Sequence, residues 1–139
     1  ETSLQTFDEV MNVNLRGTFL CCRAVFRQMK QQGGGVILNM SSVAGLQAWE
    51  GTGTYSASKH GIMALTKSLA DEGRPYGIKV SAFCPGAVAD ELVDASPTEI
   101  ERSEKINPFD VAEAAVYLST LGKYTVVHHI VIDRLGADW

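Results

Sequence analysis

The chain lacks most of what would mark a membrane-spanning, disulfide-stapled or nucleic-acid-binding protein. No apolar run approaches the ~20 residues needed to cross a bilayer, and the opening residues do not read as a charged n-region followed by an apolar h-region. Association with a membrane is therefore not expected. Cysteine is scarce: Cys21, Cys22 and Cys84 are odd in number and contain no C-x-x-C spacing. That excludes a paired disulfide framework, and their helix and strand settings read as buried thiols of a reducing, cytoplasmic protein. Metal ligands are few, and His128 and His129, adjacent in an expected strand, would point to opposite faces, so no metal is expected. Positive charge is also short: 12 Lys and Arg against 16 Asp and Glu leave a net charge of −4. This argues against nucleic acid or an anionic lipid surface as a partner. No internal repeat, low-complexity tract or linker divides the 139 residues, a length that suits one domain able to bury a real core.

The 45% apolar and 20% charged fractions are those of a soluble globular protein. Thr6-Phe-Asp-Glu9 has capping-box spacing and opens a helix over 7–32. One stripe of that helix carries Phe7, Met11, Asn14, Thr18, Cys21, Val25 and Met29, and the helix stops at Gly33-Gly34-Gly35. The run 36–41 is apolar, as a parallel strand covered on both faces would be. A second helix over 54–73 ends before the turn signal Arg74-Pro-Tyr-Gly77. A strand over 78–84 and a loop over 87–96 follow, then an N-cap at Ser96-Pro97-Thr-Glu99. Asp110-Val-Ala-Glu113 caps a further helix reaching Leu121, and a last strand covers 126–132. Alternation of helix and strand predicts an α/β fold built on a parallel sheet.

Within this frame Tyr55 and Lys59 stand four residues apart on the second helix, one turn above each other on one face. A cation within ~4–6 Å of a phenol favours its ionised form, so the pair suits general acid/base work. Ser42 lies thirteen residues before the tyrosine. Alone, such a pair is a weak signal, better read as a tyrosine packing on a lysine stem at a helix surface. Its surroundings sharpen it. Val36-Ile-Leu-Asn-Met-Ser-Ser-Val-Ala-Gly45 is an apolar strand entering a small-residue turn, Tyr55-Ser-Ala-Ser-Lys-His-Gly61 opens a helix, and Ile78-Lys-Val-Ser-Ala-Phe-Cys-Pro-Gly86 is a strand ended by Pro-Gly.

In that order and spacing these segments, with Asn-Leu-Arg-Gly at 14–17 and Pro-Gly-Ala-Val at 85–88, resemble the short-chain dehydrogenase/reductase family from Phe7 to about Ile132. The resemblance implies a Rossmann-like three-layer αβα fold and hydride transfer between NAD or NADP and a small carbonyl or alcohol. Tyr55 would be the general acid/base, Lys59 would lower its pKa and bond the nicotinamide ribose, and Ser42 would hold the substrate oxygen. Ser41 competes for that last role, but the spacing selects Ser42, and Ser41 reads as a strand-end turn residue satisfying its own backbone. Asn14 interrupts the apolar stripe, where a buried amide needs partners. It is either a satisfied core amide or, as the resemblance implies, the bend that holds a water linking Lys59 to solvent. Asn12 reads as a surface residue. Pro85, Gly86 and Val88 would pack on the nicotinamide. Asp90 departs from the family's usual threonine and would repel a nearby pyrophosphate. The ending Ile132-Asp-Arg-Leu-Gly136 departs from Asp-Gly-Gly.

The family's Gly-rich turn between strand and helix, which seats the pyrophosphate, has no match here, since Gly33-Gly34-Gly35 precedes a strand. The expectation is that the chain is the C-terminal, catalytic half of one doubly wound domain, without the dinucleotide-binding half. Small and apolar residues on several faces of the two long helices predict a homodimer or homotetramer. The alternatives are a non-catalytic fragment serving as a structural or assembly module and, less in keeping with the Pro-Gly-Ala-Val loop, a sugar-nucleotide epimerase relative.

Overall fold

A computed structural model describes residues 2–89 and 104–137. Asp90 and the expected cap at Ser96 lie outside them. The first helical rod begins with α1 (Leu4–Val10), passes through a π-helical segment (Met11–Arg16) and continues as α2 (Gly17–Gln32). It is capped by Ser3, three residues before the expected Thr6: the Ser3 hydroxyl accepts from the Thr6 amide at 3.0 Å, satisfying one of the free N–H groups of the first turn. Gly33, at φ 80°, closes α2 in the left-handed conformation that glycine adopts without steric cost.

The π segment changes which residues face inward. Its wider i→i+5 turns advance the helix phase, and beyond it Cys22, Phe26 and Met29 meet the core. Cys21 and Val25, expected on the buried stripe, are exposed instead. Of the three cysteines only Cys22 and Cys84 are buried, and burial pushes both thiols up from their ordinary pKa.

Strand β1 (Gly35–Met40) leads through a short 3₁₀ turn (Val43–Gly45) into α3 (Gly53–Gly73). Strand β2 (Ile78–Pro85), helix α4 (Pro108–Thr120) and strand β3 (His129–Ile132) follow. The sheet is parallel throughout in the order β1-β2-β3, with Ile37 opposite Val80, Met40 opposite Phe83 and Phe83 opposite Ile130. Ile78, Val80, Cys22 and Ile37 form a core on the face covered by α2 and α3, with Phe26, Met29, Leu69 and Ala70 packed against it. From the opposite face Lys79 Nζ reaches the Leu121 carbonyl at the end of α4, at 2.6 Å. This is an α/β, Rossmann-like arrangement.

Three further expectations change. Strand β2, with seven of its eight residues buried, is the one covered on both faces. On β1, only Ile37 and Asn39 are buried and Met40 is 51% exposed, because α2 and α3 cover one face only. Helix α4 is capped by Asn107, whose side chain accepts from the Phe109 amide at 3.0 Å, with Pro108 just inside the helix, a better N-terminus than Asp110. His128 precedes β3, which starts at His129. Among the described residues there is no cluster able to hold a metal ion and no helix long and apolar enough to cross a membrane.

Candidate active site

The carboxyl end of a parallel sheet is where strands stop and side chains and loop backbone converge. There β1, β2 and the first turns of α3 enclose a cleft of about 320 Å³ lined by Met40, Ser41, Ser42, Tyr55, Lys59, Pro85, Gly86 and Val88. Six of the seven residues singled out by sequence meet in it. Larger grooves of about 730 and 900 Å³ lie elsewhere on the surface and contain none of these side chains.

Each side chain has a definite tether. Tyr55, 42% exposed, presents its ring to the cleft. Lys59 Nζ lies 5.5 Å from the centroid of that ring and donates to the Met40 carbonyl at 3.1 Å. Ser42, buried, starts the 3₁₀ turn: its Oγ accepts from the Ala44 amide at 3.1 Å and donates to the Pro85 carbonyl at 3.3 Å. Ser42 thereby ties the ends of β1 and β2 together at the mouth of the cleft. Val88 is held by a parallel bridge to Ile106. On Gly86, the place a Cβ would take is filled by the Asp133 carboxylate, so a larger residue there requires Asp133 to turn away.

The turn contact expected of Ser41 is made by Ser42 instead, and both residues line the cleft. Ser42 makes the local turn contact, whereas Ser41 does not satisfy its own backbone: its Oγ donates to the Lys59 carbonyl, eighteen residues on, at 3.0 Å. Asn14 is the seventh residue and stands outside the cleft. The π segment brings it against α3, where Nδ2 donates to Ser58 Oγ at 3.0 Å, and Ser58 Oγ donates to the Tyr55 carbonyl at 2.7 Å. The Asn14 carbonyl accepts from Thr18 Oγ1 at 2.7 Å. Asn12 is exposed, as expected.

Sequence reasoning missed Ser58, Gly45 and Asp133. Only Gly45 left a readable trace, as a small residue closing the turn after the serines. Asn39, the first residue of the Asn-Met-Ser-Ser run, is buried and joins three elements: Cys22 Sγ donates to its Oδ1 at 3.2 Å and its Nδ2 donates to Thr66 Oγ1 at 2.9 Å.

Chemically, a phenol beside an ammonium can hand over a proton and have the resulting phenolate stabilised, while a serine hydroxyl holds a substrate oxygen nearby. Burial lowers the Lys59 pKa below the ordinary lysine range, since desolvation disfavours the charged form. The unfolded chain thus binds that proton more tightly. Lys59 therefore costs stability at neutral pH, and stability rises as pH climbs from the folded value to the unfolded one. Lys59→Met is accordingly expected to melt at or above the parent Tm at pH 7, with the difference shrinking toward alkaline pH. Thermal melts across that range check the sign; a variant less stable at pH 7 and unaffected by pH contradicts it.

Comparison with known proteins gives the family. Residues 1–101 match the family profile described as short chain dehydrogenase. An uncharacterized oxidoreductase of Thermotoga maritima is 46% identical over 76% of this chain and 44% of its own length. The 2-(R)-hydroxypropyl-CoM dehydrogenase of Xanthobacter autotrophicus is 40% identical over 85% of this chain and 51% of its own. Among solved structures, ElxO with NADP bound superimposes with a TM-score of 0.81 at 29% identity, covering 96% of this chain and 58% of that one. A short chain dehydrogenase from Leptospira borgpetersenii with bound NAD+ superimposes at 0.78 with 30% identity, covering 96% and 57%. The chain spans about half the length of the curated relatives it matches. With its profile match, its parallel sheet and its clustered Ser-Tyr-Lys side chains, this chain belongs to the short chain dehydrogenase family.

Proposed function

We propose that this chain carries the proton-transfer machinery of an NAD(P)-dependent oxidoreductase acting on a small carbonyl or alcohol. The observation that carries the reading is the meeting of Ser42, Tyr55 and Lys59 in one cleft with Pro85, Gly86 and Val88. In carbonyl reduction Tyr55 donates its phenolic proton to the substrate oxygen, and in alcohol oxidation it accepts one. Lys59, a cation 5.5 Å from the ring centre, stabilises the phenolate that donation leaves. The Ser42 hydroxyl, turned from the Pro85 carbonyl to the substrate oxygen, positions and polarises it. Asn14 acts from behind the helix, from the π segment, through its bond to Ser58 Oγ.

A nicotinamide with its ribose fits the donor set. Lys59 offers an ammonium to ribose hydroxyls, Tyr55 offers a phenol, and the Pro85 and Val88 side chains supply apolar surface. The cofactor would supply the hydride that reaches the carbonyl carbon. At about 320 Å³ the cleft is at the small end of ligand sites, enough for that end of a dinucleotide. The pyrophosphate would be seated by the other half of a doubly wound sheet, for which this chain would be the catalytic half, and that half would select NAD or NADP. Exposed Val13, Phe19, Leu20 and Val25 favour helix pairing in a homodimer or homotetramer, which sedimentation equilibrium decides.

The test is oxidation of NADH and of NADPH, followed at 340 nm, against a panel of small ketones. Turnover with at least one nucleotide is expected. Nucleotide binding without turnover on any ketone or alcohol would instead support the alternative, a structural or assembly module, to which the half-open face of β1 at Met40 also points.

A further inference from the structure

We propose that Ser41 is a positioning residue that sets Lys59, and with it Tyr55, against Ser42. This deepens the oxidoreductase reading and rests on it. Ser41 is 2% exposed and is anchored in the sheet, its amide donating to the Phe83 carbonyl at 2.7 Å. Its hydroxyl donates to the Lys59 carbonyl at 3.0 Å, while the carbonyl of the preceding residue, Met40, accepts from Lys59 Nζ at 3.1 Å. Two consecutive residues at the end of β1 thus grip Lys59 at both ends, main chain and ammonium. A helical carbonyl has a second lone pair, so the Ser41 bond adds to the helix without replacing one of its own.

Gly45 removes the slack from this grip. A Cβ there would stand 3.0 Å from the Lys59 carbonyl oxygen and 3.2 Å from its carbon, and would collide with Ser41 Oγ. The turn therefore seats directly on the α3 backbone behind Lys59, with Ser41 Oγ between them. The buried Cys84 thiol faces the same hydroxyl from β2. Ser58 makes a useful contrast. Its bond to the Tyr55 carbonyl joins residues three apart in one helix, so it does not relate that helix to the sheet. The Ser41 bond does, and Ser42 is covalently next to it. Whatever holds α3 at this point also fixes how far Tyr55 and Lys59 stand from the Ser42 hydroxyl. A displacement of ~1 Å in such a constellation can cost ~10²-fold in rate.

Ser41→Ala removes one oxygen and leaves the Lys59 carbonyl its helical partner, so the fold is expected to persist with a near-parent Tm. The full chain is compared as parent, Ser41→Ala and Ser41→Thr, by the NMR ring-current shift that the Tyr55 ring imposes on the Lys59 ε-methylene protons, and by kcat and KM for ketone reduction. In Ser41→Ala the ε-methylene shift is expected to relax toward that of a free lysine and kcat to fall about 10-fold with KM little changed, and Ser41→Thr, which restores a hydroxyl, is expected to recover both. Should Ser41→Ala not fold, Ser41→Cys fills the space with a poor donor and is expected to show the same displaced resonance. A parent-like ε-methylene shift in the Ala or Cys variant overturns the proposal. The NMR readout needs no turnover, so it stands apart from the oxidoreductase reading, which fails separately if Tyr55→Phe retains full activity.

Discussion

Replacing Tyr55 with phenylalanine is expected to lower kcat/KM for carbonyl reduction by about 10²- to 10⁴-fold, the range associated with loss of a positioned general acid. The phenol oxygen is the only atom removed, and the residue is 42% exposed at the cleft, so no buried partner is orphaned. The helix keeps its Asn14–Ser58 link to the Tyr55 carbonyl, because that link runs through the main chain. Lys59 keeps an aromatic face near its ammonium. The loss should therefore fall on kcat, with Tm unchanged and nucleotide binding weakened only by the missing hydroxyl. Steady-state kinetics on the parent and the variant at one pH decide it: activity within a few-fold of the parent would remove Tyr55 from the chemistry and the family-based assignment with it.

The largest stability effect is expected at Phe83, on the central strand. It is 1% exposed and stands between Met40 on β1 and Ile130 on β3. Its carbonyl also receives the Ser41 amide at 2.7 Å, so the strand cannot shift to close a void without disturbing the turn that carries both serines. Phe83→Ala loses the transfer free energy of the ring and leaves a cavity, a combination that typically costs ~3–5 kcal/mol. For a domain of this length that corresponds to a Tm lower by roughly 10–20 °C. Denaturant titration with an unchanged m-value is the check. A loss below about 1 kcal/mol would mean that the neighbouring layers collapse into the space more freely than a packed interior permits.

How much of this was legible differs from element to element. Tyr55 and Lys59 were readable because a helix places residues four apart on one face whatever surrounds it. Ser42 and the Pro85–Val88 loop were readable as strand ends, marked by small residues and Pro-Gly. The inward face of α2 was only partly readable past Arg16, Met29 being the residue of the stripe that does meet the core. A π segment adds residues to a turn without leaving a distinctive composition, so a stripe drawn at ordinary helical spacing ran onto Cys21 and Val25 while the core took Cys22 and Phe26. The hydrogen-bond partners of Ser41 and Ser42 were unreadable for a related reason. Two adjacent hydroxyls are chemically identical in a sequence, and their partners, Lys59 and Pro85, are 18 and 43 residues away. The caps at Ser3 and Asn107 lost to Thr6 and Asp110 because several capping side chains compete within a few residues, and the choice depends on where the helix meets its neighbours.

The sequence by itself determined the α/β alternation, the parallel character of the sheet and the identity of the candidate acid/base pair, since these follow from periodicity and local spacing. It took the tertiary structure to show that Ser41 bonds the α3 backbone while Ser42 bonds its own turn and Pro85, that Asn14 bonds Ser58, and that β2 is the fully covered strand while β1 is half open. Those outcomes depend on the distance between groups far apart in the chain. That distance is set by how helix, turn and sheet close on one another, and here a glycine with no room for one more carbon atom sets it.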